Sequence, residues 1–237
     1  MSLSDRAITA VELEKAIHDV TSGKALGPNG IPIELYKMSA DTLAPHLLNM
    51  FEESKEVGCL PRDQRLATII IIHKKGKPPD ECSAYRLISL IGVEAKVLTK
   101  VLVSRLIKVI TSLIHLHQSG FMPGRNTALN LRRLHGVLAR APVIAEDVAI
   151  LSLDARMAFD AIEWPYMFEV LHKFGFGPNF IGWIRLLYSK PLAQVKVNDV
   201  ISSVFPLERG TRQGCPLSSL LFALTLESLA AWIRGDP

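Results

Sequence analysis

The sequence predicts an α+β fold. Three observations lead there: helix-period apolar patterns at residues 9–22 and 93–114, short β-branched runs such as residues 67–73, and no internal repeat, flexible linker or regular strand–helix alternation. The 237 residues suit one large domain or two small ones, and a chain that is 49% apolar and 21% charged can bury a sizeable core. With 15 glycines and 14 prolines, collagen-like and low-complexity chains are excluded.

The elements follow in order. Thr9-Ala10-Val11-Glu12 is a capping box, and the helix behind it carries Leu13, Ala16, Ile17 and Val20 on one face, stopping near Gly23. Residues 23–34, GKALGPNGIPIE, are rich in turn formers and read as an ordered loop. A second helix is expected from about Leu43 to Lys55, ending at Gly58. Residues 67–73 form a buried strand, and a basic turn leads to a second short strand from Arg86 to Leu90. Residues 93–114 form a long amphipathic helix with Lys96, Lys100, Arg105 and Lys108 on its polar side. A loop over 118–125 precedes a basic helix to Arg140, and Val148–Leu153 reads as a core strand ending in Asp154. Helices over 164–173 and 179–189 follow, then a hairpin turning at Asn198-Asp199, a polar loop over 207–215 and a final apolar helix.

That last segment, Cys215–Ile233, has one charge, Glu227, and is read as a buried helix of a soluble core rather than a membrane span. The N-terminal residues MSLSDRAITAVELEK carry charge where a signal peptide needs an apolar core. The three cysteines are widely spaced, with no zinc pattern and no disulfide framework. The expected location is therefore intracellular, cytoplasmic or nuclear, and not secreted. The net charge of +4 hides an asymmetry: residues 62–140 hold fourteen Lys/Arg against four Asp/Glu, a net of +10. Such a block suits a surface that meets phosphates, and equally a solvated basic face.

Asp154, at the end of an apolar strand with Asp160 six residues on, suits a divalent-cation ligand or a simple turn cap. Lys74, Lys75, Lys77 and Arg86 cluster around the hairpin and suit a triphosphate clamp or a solvated turn. Arg209-Gly-Thr-Arg-Gln-Gly214 joins close-approach glycines to hydrogen-bond donors, fit for phosphate, a base pair or a plain loop, and matches no Walker or GxGxxG pattern.

Taken together, the segments GKALGPNGIPIELYK (23–37), IIHKKGK (71–77), YRLISL (85–90), KVLTKVLVSRL (96–106), QSGFMPGR (118–125), LSLDARMAFDAIEW (151–164), FGFGPNFIGWIRLLYSKP (174–191) and RGTRQGCPLSSLLFALTLESLA (209–230) resemble the reverse transcriptase domain of LINE-type non-LTR retrotransposons, collinearly from Ile8 onward. The resemblance implies an RNA-directed DNA polymerase of right-hand shape, with residues 1–140 as fingers and 141–237 as a partial palm. Asp154 matches the first palm aspartate, a Mg²⁺ ligand in two-metal nucleotidyl transfer. Phe159 matches the gate that excludes a ribose 2′-hydroxyl, with Asp160 beside it. Lys74 and Arg86 match triphosphate contacts, Gln213 and Gly214 the loop against the nascent base pair, and Arg125 a template contact. The implied partners are RNA template, DNA primer and deoxynucleoside triphosphates, with no membrane.

The sequence also departs from that family. A Tyr-x-Asp-Asp hairpin usually follows the segment that here ends at Ile233-Arg234; this sequence stops at Pro237 and contains no Asp-Asp pair. Leu87, Asn29, His117, Ser219 and Ala161 replace residues usual in the family. The expectation is a drifting copy truncated before the hairpin, with an incomplete antiparallel palm sheet, two of three metal-binding carboxylates missing and no activity alone. The alternatives are a non-catalytic RNA-binding fragment and a relic without function.

Overall fold

The computed structural model describes residues 5–144, 147, 149–155 and 157–235. Helix α1 (Ala10–Asp19) starts where its capping box places it. The Glu12 amide donates to Thr9 Oγ1 at 3.3 Å, and the Thr9 amide donates back to Glu12 Oε2 at 3.1 Å. Its apolar stripe, Leu13, Ala16 and Ile17, is buried. Pro32 presets the entry to α2 (Ile33–Met38), a short helix that begins in the last two residues of the expected loop, and α3 (Ala40–Val57) and α4 (Arg62–Arg65) follow.

Strand β1 (Leu66–His73) pairs antiparallel with β2 (Tyr85–Ile91), and α5 (Val93–Leu113) leaves the end of β2. α6 (Ala128–Ile144) projects away from the core: Leu129, Leu131, Leu134, Val137 and Leu138 are all exposed. α7 (Trp164–Lys173) and α8 (Pro178–Leu187) each carry proline in the first turn, where its missing N–H costs nothing. β3 (Leu192–Val197) pairs with β4 (Val200–Ile201) across Asn198 and Asp199, both at positive φ, as a two-residue primed turn requires. β5 (Phe205–Pro206) also pairs with β3, and α9 (Ser218–Arg234) closes the described chain.

The fold is α+β, with a small mixed sheet ordered β2-β1-β3-β4. The sheet was expected to be antiparallel, but β1 and β3 run parallel, Ala67 opposite Ala193 and Ile69 opposite Val195. Parallel neighbours need a long crossover, and the helices between residues 93 and 187 supply it. The main core gathers Leu13 and Ile17 of α1, Phe51 of α3, Leu98, Leu102 and Leu106 of α5, Phe180 and Trp183 of α8, and Leu221 and Leu224 of α9. Each such side chain contributes roughly 1.5–3 kcal/mol. The ends of the chain thus share one core, and Lys55 of α3 lies 4.6 Å over the Trp183 ring of α8.

Two further expectations fail. Val148 lies outside the described residues, but Ala149 to Asp154 form no strand: Ile150, Leu151 and Leu153 are 58%, 80% and 76% exposed. A strand is stable only with a paired neighbour, and no described residue pairs with this run. Arg105, placed on the polar side of the long helix, is buried at 5% exposure, because Glu12 and the carbonyls of Arg6 and Ala7 receive its guanidinium. For α9 the buried-helix reading holds along Leu220, Leu221, Ala223, Leu224 and Glu227; among the described residues no helix is long and apolar enough to cross a membrane.

Candidate nucleotide and nucleic-acid site

The polar loop after β5 is stitched to three parts of the fold. Its Gly210 amide donates to the Ile162 carbonyl at 2.8 Å, and its Thr211 amide to the Phe159 carbonyl at 2.6 Å. Trp164 Nε1 donates to the Gly210 carbonyl at 2.9 Å. On the sheet side, the Ser89 amide of β2 donates to the Gln213 carbonyl at 2.7 Å, and Arg212 donates to the Arg65 carbonyl at 2.8 Å.

Glycine is required at both closest approaches. A Cβ on Gly210, at φ +85, would lie 2.9 Å from the Asp160 carbonyl oxygen, and one on Gly214, at φ +107, would lie 2.7 Å from that of Ser89. Between the loop, the turn at 157–160 and the sheet lies a cavity of about 420 Å³, lined by Ile69, Leu87, Ser89, Asp160, Arg209, Arg212 and Gln213 among others. Burial pushes the Asp160 carboxyl above its usual value. Burial likewise pushes the Arg212 guanidinium below its usual value.

Of the residues singled out in the sequence, the structure therefore brings Asp160 and Gln213 to one cavity; Gly214 is not part of its lining and packs against the Ser89 carbonyl. Phe159 is adjacent, its ring 5.8 Å from Phe121 and 4.9 Å from Phe222. Lys74 and Arg86 are not on that cavity. Lys74 donates to the Ser83 carbonyl at 2.9 Å within the hairpin turn. Arg86 is exposed opposite Ile72, on the face of β2 away from Leu87 and Ser89. The sequence pointed to the segment 209–214 that holds Thr211 and Arg212, but not to Ser89, whose amide the loop's Gln213 carbonyl meets across the sheet.

Arg125 is committed to the end of α5. Its two terminal nitrogens donate to the carbonyls of His115 at 2.6 Å, Gln118 at 2.8 Å, Thr111 at 3.0 Å and Ile114 at 2.9 Å. These carbonyls belong to the last turn of the helix and the loop beyond it, where no intrahelical donor is available. Arg125→Ala is expected to cost about 2–3 kcal/mol in urea unfolding, and Arg125→Lys to restore less than half, because one ammonium cannot reproduce the fork.

Asp154 is exposed on irregular backbone. Among the described residues, no three His, Cys, Asp or Glu side chains come together to hold a metal ion. Mg²⁺ takes six oxygen ligands in near-octahedral order, and one exposed carboxylate does not fit that demand. The described residues therefore do not make a magnesium site, and the cavity offers hydrogen bonds, apolar contact, two arginines and the carboxylates of Asp160 and Glu208.

Comparison with known proteins gives this geometry a context. Residues 72–236 match the family described as reverse transcriptase (RNA-dependent DNA polymerase). The chain is similar to the transposon TX1 uncharacterized 149 kDa protein of Xenopus laevis, 32% identical over 96% of this chain and 17% of that protein. It is also similar to the RNA-directed DNA polymerase from mobile element jockey of Drosophila melanogaster, 27% identical over 94% of this chain and 25% of that protein. The probable RNA-directed DNA polymerase from transposon BS of the same organism is 25% identical over 100% of this chain and 27% of that protein. The chain spans only about a sixth to a quarter of the length of these relatives.

Proposed function

This chain belongs to the reverse transcriptase (RNA-dependent DNA polymerase) family, and on that premise we propose that it carries the nucleotide- and template-facing part of such a polymerase. Residues 1–140 act as fingers and 141–237 as palm. The observation that carries this reading is the loop 209–214, which glycines let close onto both the sheet and the Phe159–Ile162 turn. Gln213 and Gly214 face the nascent base pair. Phe159, held between Phe121 and Phe222, is the gate against a ribose 2′-hydroxyl, and Asp160 lies beside it. Lys74 and Arg86 meet the triphosphate from the hairpin. Arg125 fixes the loop that meets the template, and the +10 block supplies its electrostatic attraction. The family's polymerisation uses divalent metal ions; among the described residues Asp154 is in no group of three His, Cys, Asp or Glu side chains that could hold one.

The test is a pair of measurements on the 237-residue chain. Binding to a primed RNA template is expected to weaken steeply with salt, and a further three- to tenfold in Lys74→Ala and Arg86→Ala, whereas Lys15→Ala is silent. Primer extension with Mg²⁺ and all four deoxynucleotides is expected to stay at background. Extension that Asp154→Asn abolishes would overturn the second expectation, and binding indifferent to salt and to both basic residues would overturn the first.

A further inference from the structure

A second cavity, of about 400 Å³, lies on the other side of β2 from the loop cavity. Its walls come from the turn-rich stretch 20–33, from Ile88 to Leu90 of β2, from the first two turns of α5, and from Gly214 and Pro216. Most of that wall is apolar: Leu26, Ile31, Ile33, Ile88, Leu90 and Val93. Against it stand Lys24, Lys96 and Lys100, with Asp19 as the acidic residue of the wall, so the lining carries a net charge of +2.

Lys24 is exposed, and Lys96 and Lys100 are partly buried. No salt bridge holds Lys24, Lys96 or Lys100 among the described residues. Lys96 and Lys100 are one turn apart on α5 and so are neighbours on its surface. Lys96 is half-buried, and its ammonium donates to the Ala25 carbonyl at 3.3 Å. A buried cation without a counter-ion is costly, and burial pushes Lys96 below the usual lysine value.

We propose that this cavity binds a small amphipathic anion, an aromatic or acyl group joined to one acid headgroup. A free phosphate would leave the apolar wall wet, and a purely apolar ligand would leave the lysines without a counter-charge. A compact molecule with both parts satisfies the whole lining, and 400 Å³ is within the range of small-molecule sites. The site shares Ser89 with the loop cavity and Gly214 with the proposed base-pair loop, but it is read by small-molecule binding, so its failure is distinguishable from a failure of primed-template binding.

Anilinonaphthalene sulfonate is the probe, followed through the methyl resonances of the full chain. The expected result is saturable shifts at Ile31, Ile33, Ile88, Leu90 and Val93. Affinity falls about tenfold in Lys96→Met and in Lys100→Met, and about tenfold for neutral anilinonaphthalene, with Lys15→Met unchanged. Two variants are used so that a folding defect in one does not decide the matter. Shifts confined to the exposed residues 149–153 and α6, or affinity indifferent to both lysines and to the sulfonate, would overturn the proposal. So would an oligonucleotide that moves these methyls when the sulfonate does not.

Discussion

Arg105→Ala is expected to destabilise the chain by about 3 kcal/mol, the low end of what breaking a buried ion pair costs. The guanidinium, 5% exposed in the middle of α5, reaches across to α1: Nε donates to Glu12 Oε1 at 2.8 Å and a terminal nitrogen to Oε2 at 2.6 Å. It also donates to the carbonyls of Arg6 and of Ala7, the latter at 2.7 Å. Truncation removes the carboxylate's counter-ion, leaving it only the hydrogen bonds from Thr9, and takes a donor from two carbonyls at once. The cost stays at the low end because the Glu12 side chain is 35% exposed, so water can reach it. Urea unfolding measures the loss, and Arg105→Lys should recover only part of it, since an ammonium cannot bridge both oxygens.

The same pair sets a pH dependence. Burial pushes the Glu12 carboxyl up, but the hydrogen bonds and charge of Arg105 and the hydrogen bonds of Thr9 together hold it below its usual value. A carboxyl whose folded value lies below its unfolded value, about 4.3, contributes stability that is full above that pH. The contribution is lost as pH falls through the folded value. Wild type should therefore lose this stability as the solution is acidified below about pH 4.3, and Arg105→Ala should show a shallower loss over the same window. Equal slopes would place the stabilisation of Glu12 elsewhere.

What the sequence made legible was local. The Thr9 capping box, the 3.6-residue period of α5 and the Asn198-Asp199 turn each lie within a few residues, where backbone sterics and capping decide the outcome. The failures were all non-local. A short apolar run at 149–153 has the pattern of a strand, but pattern does not provide a neighbour to pair with. The parallel register of β1 on β3 joins residues more than a hundred apart, and nothing in either strand names the other. Arg105 reads as a solvent-facing residue of the long helix, yet it is buried on Glu12, a partner 93 residues away in the chain. In the site, the glycines of the loop were readable as places of close approach, yet which carbonyls they approach was settled only by the packed fold.

Gly214→Ala tests that close approach, and its expected effect is the largest on the loop. Two costs coincide at this position. The φ of +107 is one that side-chain-bearing residues rarely adopt, and the added Cβ would meet the Ser89 carbonyl oxygen at 2.7 Å, a backbone atom of a paired strand that cannot swing aside. Gly23 provides the control, because its φ is +69 but a Cβ there meets nothing within 4 Å. Gly23→Ala should cost about 1 kcal/mol from backbone conformation alone. Gly214→Ala should cost about 2–3 kcal/mol, with the excess assigned to the contact. The loss should be local: the Ser89 amide, bonded to the Gln213 carbonyl at 2.7 Å, loses its hydrogen-exchange protection, while amides of α1 and α5 keep theirs. Primed-template binding should weaken by tenfold or more, because Gln213 no longer has a fixed place beside the sheet. If Ser89 stays protected while binding fails, the loop acts through its side chains. If Ser89 is exposed and binding is unchanged, the loop 209–214 is not the surface on which the base pair is read.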